Sequence, residues 1–306
     1  MTQTTTDQRA NATLGDNLID RFSRLLIWKK GGQRAPHKPL LVLLALGRLQ
    51  HGHERLAPFS AIEKELARLL TEFGPPRRSV HPEYPFWRLQ RDRVWEVSVS
   101  QDLKRRQGNS DPLKSELLKS KVRAGFPQDV FENLQLHPEL VRALAWQMLR
   151  SHFPESLHST VALSVGLDLE NADRNRARDT QFRNEVISAW GHRCGFCGFD
   201  AKLDNADLGL EAAHIQWVQA GGPDTLANGI SCCSIHHQAL DRGAIGLSNN
   251  LKIIVSSRLH GGPSMEQYFF RFHGQAMTLP SRKSAHPAGN FVLWHRAQVF
   301  RGEPRD

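Results

Sequence analysis

The chain has 306 residues, 40% of them hydrophobic, which is enough for two ordinary packed domains and too much for a disordered polymer. Its formal net charge of +9 and pI near 9.7 favour a polyanionic partner at neutral pH. No run approaches the roughly 18 apolar residues of a membrane span, and the polar opening MTQTTTDQR lacks the apolar centre of a secretion signal, so the sequence reads as cytoplasmic, without a membrane partner. Thiols stay reduced in that compartment, and four clustered cysteines then favour a metal over disulfides.

In chain order, Leu18 to Trp28 has apolar residues at helical spacing and breaks at Gly31-Gly32. Pro36 and Pro39 punctuate the start of the next segment, where Leu40 to Leu49 is apolar on nearly all sides, as in a buried helix. A third helix is expected over Ala61 to Phe73. Tyr84 to Val97 (YPFWRLQRDRVWEV) places aromatic and β-branched residues around a polar Gln90 to Arg93 turn, which predicts a hairpin or two short strands. A basic loop from Lys104 to Asn109 leads into further helices ending near Leu149. From about Ser151 to Asp179 the composition turns polar and charged, with NADRNRARD as its extreme, which predicts a linker. The expected division is therefore a domain over 14–150, a linker over 151–179 and a second domain over 180–306. In the second, Phe182 to Trp190 is expected as a helix, Leu251 to Val255 and Tyr268 to Phe272 as strands, and FVLWHRAQVF as a closing helix.

The chemistry concentrates between Cys194 and Asp241. Cys194-x-x-Cys197 and Cys233-x-x-His236 are two knuckles that together supply four ligands for one tetrahedral structural Zn2+. Buried thiols without a metal, or a redox pair, are the competing reading, and Cys232 competes with Cys233 as ligand; the matching x-x spacing favours Cys233. Around the knuckles lie His214, Asn228 and His237. Hydrolysis of a phosphodiester needs an activated water, a cation on the developing charge and groups that hold both in line. His214, after the strand-like Leu210 to Ala213, suits the general base; His237, on an expected helix, suits a divalent ion; and the Asn228 amide suits orientation of the base or its loop. Adjacent histidines point roughly 100° apart on a helix, so one of His236 and His237 can face the zinc and the other the second ion.

These residues resemble the ββα-metal module of HNH endonucleases: Cys-x-x-Cys, AHI, an Asn-Gly step and Cys-x-x-His-His ahead of an Asp. The resemblance runs from about Asp179 to Arg301 and takes in the GGPDTLANG loop and the terminal WHR. It implies DNA cleavage assisted by Mg2+ or Mn2+, with His214 as base, Asn228 as the family asparagine and His237 as metal ligand. Many relatives carry Asp or His just before the base as a second metal ligand, whereas here that position is Ala213. Glu211 is a possible substitute, although strand alternation sets it on the face opposite His214.

The first part is similar to the sulphur-binding domain of McrA-like, phosphorothioate-dependent type IV restriction endonucleases, through RAPHKPLLVLLAL and YPFWRLQRDRVWEV. This implies an α+β protein in which a helix-rich DNA-reading domain precedes a zinc-stabilised HNH nuclease, acting on phosphorothioate-modified double-stranded DNA. Sulphur is larger, more polarisable and less hydrated than the oxygen it replaces, so an apolar hollow desolvates it at lower cost while nearby cations hold the charge. Tyr84 and Pro85 are the candidates for that hollow; Arg34, His37, Lys38, Arg105, Arg106 and Asn109 are candidates for phosphate or base contacts. The competing reading makes Tyr84 to Trp87 core and the arginines a solvated face. A reader of methylated bases using Tyr84, Trp87 and Trp95 is the nearer alternative, and a non-cleaving protein with a degenerate HNH fold, suggested by Ala213, the more distant. Cutting both strands takes two active sites or two visits, for which a homodimer is a reasonable expectation.

Overall fold

In a computed structural model of the protein, the structure describes residues 17–27, 33–99, 102–106, 108, 111–169 and 180–306. The expected Gly31-Gly32 break, the loop residue Asn109 and the most charged part of the expected linker lie outside these residues. The described chain divides into two compact units, one formed by 17–27, 35–152 and 159–169, the other by 33–34, 153–158 and 180–306.

The first unit runs α1 (17–23), α2 (His37–Gln50), β1 (Leu56–Pro58), α3 (Phe59–Phe73), α4 (Glu83–Arg88), β2 (Glu96–Ser98), α5 (Lys114–Lys119), β3 (Arg123–Gly125), α6 (Gln128–Leu136) and α7 (Pro138–His152). The helix α2 is its axis: Leu40 to Leu44 and Leu46 are all buried, and α3, α4 and α7 pack around them. Pro36 sits at its N-cap and Pro39 in its first turn, where a missing N–H leaves no hydrogen bond unmade. Gly47 is forced by contact, since a Cβ there would lie 1.9 Å from the Val165 carbonyl oxygen. The three strands form one antiparallel sheet in the order β1-β3-β2.

The expected hairpin over Tyr84–Val97 is corrected by the structure. Residues 83–88 form α4, Leu89–Asp92 a 3-10 turn, and only Glu96–Ser98 is strand. Pro85 falls in the first turn of α4, where proline is tolerated, and Phe86 and Leu89, three apart, reach the core together. The aromatic residues here signalled burial: Trp95 meets Phe86 edge-on and donates its indole N–H to the Phe86 carbonyl at 2.9 Å. The stretch expected as linker also contains a helix, α8 (Glu155–Ser164).

The second unit contains α9 (Thr180–Ala189), the short pair β4 (Lys202–Leu203) and β5 (Ala206–Asp207), the hairpin β6 (Leu210–His214) and β7 (Gly229–Cys233), then α10 (Ser234–Asp241), the pair β8 (Ile245–Leu247) and β9 (Ile253–Val255), α11 (Ser264–Tyr268) and α12 (Gly289–Gln298). The β6–β7 pairing is antiparallel, from Leu210↔Cys233 to His214↔Gly229, and β7 runs directly into α10, giving a ββα unit. Around it Phe182, Val186, Trp190, Ile215, Ile230, Leu240 and Val292 build a larger apolar core than a zinc-stapled module requires. The expected strand over Tyr268–Phe272 is also corrected: α11 ends at Tyr268 and Phe270–Phe272 is a 3-10 turn, which carries Phe269 and Phe272 onto the His236 ring.

His295 ties α12 to α10 by a hydrogen bond of 2.9 Å between its Nε2 and the Leu240 carbonyl oxygen. Burial pushes its pKa down from 6.5 to about 4, so the ring is neutral and donates. The unfolded chain therefore binds a proton that the folded chain refuses, and stability is full above pH 6.5 and declines as pH falls towards 4. Denaturant unfolding across this range should show a loss on the order of 3 kcal/mol, diminished in His295→Gln; a flat profile in the wild type would remove this coupling.

Candidate functional site

The four predicted zinc ligands converge. One donor atom each from Cys194, Cys197, Cys233 and His236 lies within 4.8 Å of the other three, with Cys233 Sγ 3.1 Å and Cys194 Sγ 3.7 Å from His236 Nδ1. A tetrahedral zinc site spaces its donors about 3.3–3.8 Å apart, so three thiolates and one imidazole fit Zn2+. The other ring nitrogen, Nε2, lies 2.9 Å from the Tyr268 carbonyl, which as acceptor of an Nε2–H leaves Nδ1 free for a metal. The choice between Cys232 and Cys233 is made by β7: Cys233 turns its sulphur to the cluster, whereas Cys232 is fully buried and burial pushes its thiol well above the usual range.

His214 stands at the end of β6, half-buried, with the Phe182 ring stacked on it at 4.0 Å and Asp224 Oδ1 2.8 Å from its Nε2. If Nε2 carries the proton for Asp224, the Nδ1 lone pair is available as a base. Asn228 is buried and braces the loop: its Oδ1 accepts from the Gln216 N–H, and its Nδ2 donates to the carbonyls of Gln216 and Pro223. Of the preceding glycine pair, Gly222 is tight, since a Cβ there would meet the Gln216 carbonyl oxygen at 1.8 Å, while Gly221 adopts a φ of 81°.

His237, on α10, lies among different partners. Glu211 Oε2 is 2.6 Å from Nδ1 and Asp241 Oδ2 3.2 Å from Nε2. Burial acts to lower the proton affinity of this ring, but Asp241 and Glu211 outweigh it and raise His237 to about 10. The structure thus gives His214 and His237 separate carboxylate partners on one ββα unit. Asp241, four residues beyond His237 on a helix, was readable from spacing. The Asp224 contact was not, since loop closure brings it there.

Of the residues expected to face DNA, Tyr84, Pro85 and Arg106 come together in the first unit. Arg106 donates to the Tyr84 hydroxyl at 2.8 Å and pairs with the buried Glu83, and its guanidinium lies 5.0 Å from the Tyr84 ring centre. Sequence reasoning missed two more neighbours: Arg88, 4.5 Å over the same ring and paired with Asp111, and His81, stacked on it at 4.8 Å. Pro85 is buried, Arg105 is exposed and His37 is half-buried at the start of α2. Lys38 is spent internally, on Asp92 and the Leu26 carbonyl. Arg34 departs furthest from expectation. It belongs to the second unit, 7% exposed, with its guanidinium 3.8 Å from the Trp217 ring centre and donating to the Gln298 carbonyl, so it is a structural cation there.

Fold and site together define a helix-rich α+β protein whose second part is a ββα module with a Cys3His cluster able to hold zinc. The chain belongs to the ScoMcrA-like DNA sulfur-binding domain family, whose model matches residues 15–170, and an HNH endonuclease family model matches residues 194–248. Among solved structures, it is similar to the sulfur-binding domain of ScoMcrA complexed with phosphorothioated DNA, at 24% identity and a TM-score of 0.44 over 49% of this chain and 98% of that one. It is also similar to the sulfur-binding and SRA domains of ScoMcrA with phosphorothioated DNA, at 26% and 0.45, covering 49% of this chain and 46% of that one. A third match is the type IV phosphorothioation-dependent restriction endonuclease ScoMcrA, at 25% and 0.41, covering 47% of this chain and 32% of that one. No curated protein matches the chain. Among the described residues, no helix is long and apolar enough to cross a membrane.

Elemental analysis of the purified chain should find zinc, and Cys197→Ser should lower both its zinc content and its melting temperature, by roughly 10 °C for a loss of a few kcal/mol. Stripping with a strong chelator should reproduce the melting shift in the wild type. A chelator-insensitive melt with no zinc present would leave the cluster as buried thiols.

Proposed function

We propose that this protein is a restriction endonuclease that recognises phosphorothioate-modified double-stranded DNA and hydrolyses a phosphodiester bond nearby. The observation that carries the reading is the succession, on one chain, of a sulfur-binding family match over 15–170 and an HNH match over 194–248. In this reading, 14–150 is the reading domain, 151–179 the linker and 180–306 the nuclease domain.

The half-buried Tyr84 ring supplies apolar surface beside Arg88 and Arg106, which suits an anion carrying one poorly hydrated atom; Pro85 packs beneath it, and the exposed Arg105 is a candidate for a phosphate contact. His37 and, outside the described residues, Asn109 remain candidates for contacts along the duplex. In the nuclease domain, Asp224 accepts the Nε2 proton of His214, Phe182 fixes the plane of its ring, and Nδ1 takes the proton of the attacking water. Asn228 holds the loop that carries Asp224, and so orients the base from behind. His237 offers a nitrogen to Mg2+ or Mn2+. When bound, such an ion neutralises charge that develops on the scissile phosphate. Cys194, Cys197, Cys233 and His236 would hold Zn2+, which joins the loop after α9 to the start of α10. Cutting both strands takes two active sites or two visits, and a homodimer on the DNA provides the former.

The test is cleavage of matched duplexes, with and without the phosphorothioate, in added Mn2+ or Mg2+; equal cutting of both would reject the mark-dependence. Tyr84→Ala should raise the Kd for modified DNA about tenfold or more while changing that for unmodified DNA little, and an equal loss on both would count against the sulphur hollow. His214→Ala should lower cleavage by ~10²–10⁴-fold with binding retained; undiminished cutting would remove His214 as the base.

A further inference from the structure

Glu211, His237 and Asp241 form a carboxylate, imidazole, carboxylate chain in which each ring nitrogen faces one acid. As an imidazolium the ring donates to both acids; a divalent cation that displaces one of those two protons gains the nitrogen and the adjacent carboxylate oxygen as ligands. The two sides differ. Asp241 has a side-chain exposure of 1%, accepts a hydrogen bond from the Ser156 hydroxyl and rides on the same helix as His237, which leaves no space there for a partly hydrated ion. Glu211 has a side-chain exposure of 43%, and Ser234 Oγ donates to its Oε1 at 2.7 Å, so its carboxylate is anchored yet reachable by water and by a DNA phosphate. Alternation along β6 puts Glu211 on the same face as Ala213 and opposite His214. Ala213 has no donor atom, and Glu211 is the sole carboxylate that β6 contributes.

We propose that Glu211 and Nδ1 of His237 together ligate the divalent cation of the nuclease site, and that Asp241 is a positioning residue that accepts the Nε2 proton and aims Nδ1 at the ion. One carboxylate oxygen and one imidazole nitrogen, with the remaining positions left to water and phosphate, suit Mn2+ and Mg2+. This rests on the reading that His237 binds a cation.

Binding of Mn2+ to the full, zinc-loaded chain, followed by loss of the free-ion paramagnetic resonance signal, tests the assignment without any cleavage readout. Glu211→Gln, which keeps the size and the Ser234 contact, should weaken the Mn2+ site about tenfold or more while zinc content and melting temperature hold. Asp241→Asn should weaken it by a smaller factor. Wild-type Mn2+ affinity in Glu211→Gln, alongside loss of the site in His237→Ala, would overturn the role of Glu211 alone. Equal binding by the wild type and His237→Ala, or no site in the wild type, would overturn the reading beneath it as well. Should Glu211→Gln lose zinc, Glu211→Asp decides, being expected to stay within about tenfold of the wild type; an affinity as low as that of the Gln variant would reject ligation.

Discussion

The register of β6 against β7 is the constraint on which the second unit depends. With Leu210 opposite Cys233 and His214 opposite Gly229, Cys233 reaches the metal cluster at the point where the chain turns into α10. His236 follows three residues later on that helix and completes the set, and His237, rotated from it, reaches Glu211 instead. Because side chains alternate along a strand, a slip of one residue would present Cys232 in place of Cys233 and exchange the faces of Glu211 and Ala212. The Cys3His cluster and the Glu211–His237 contact are thus set by a single pairing.

Tight packing around the hairpin serves the same end. Gly229, opposite His214, leaves no room for a Cβ beside Val186 and Phe182, and Phe182 is the ring on which His214 stacks. The asparagine before it locks the loop that returns Asp224 to the same imidazole. His214, Asp224 and Asn228 therefore share one small assembly whose geometry is held by packing and hydrogen bonds.

The first unit handles charge in another way. Glu83 and Asp111 are buried behind Tyr84, and each fixes an arginine whose other side is partly open to solvent. Their burial costs free energy unless the pairing is kept, so the guanidinium groups are held in place around the aromatic ring instead of sampling many rotamers. The result is a pair of arginines held against one half-buried aromatic ring.

The sequence by itself determined whatever rests on local periodicity or ligand spacing. The all-apolar run at Leu40–Leu49 became α2, the paired x-x knuckles became the Cys3His cluster, and Leu210–Ala213 became the strand leading to His214. Each depends on residues a few positions apart, where backbone geometry leaves little choice. The tertiary structure alone decided the rest, because aromatic content reports burial and is silent on conformation: Tyr84–Arg88 and Tyr268–Phe272 turned out helical or turned, under pressure from the rings they had to meet. It likewise drew Arg34 and Lys38 into internal contacts and brought Asp224 to His214 and Glu211 to His237. Such partners are separated by loops and strands whose closure no local pattern encodes.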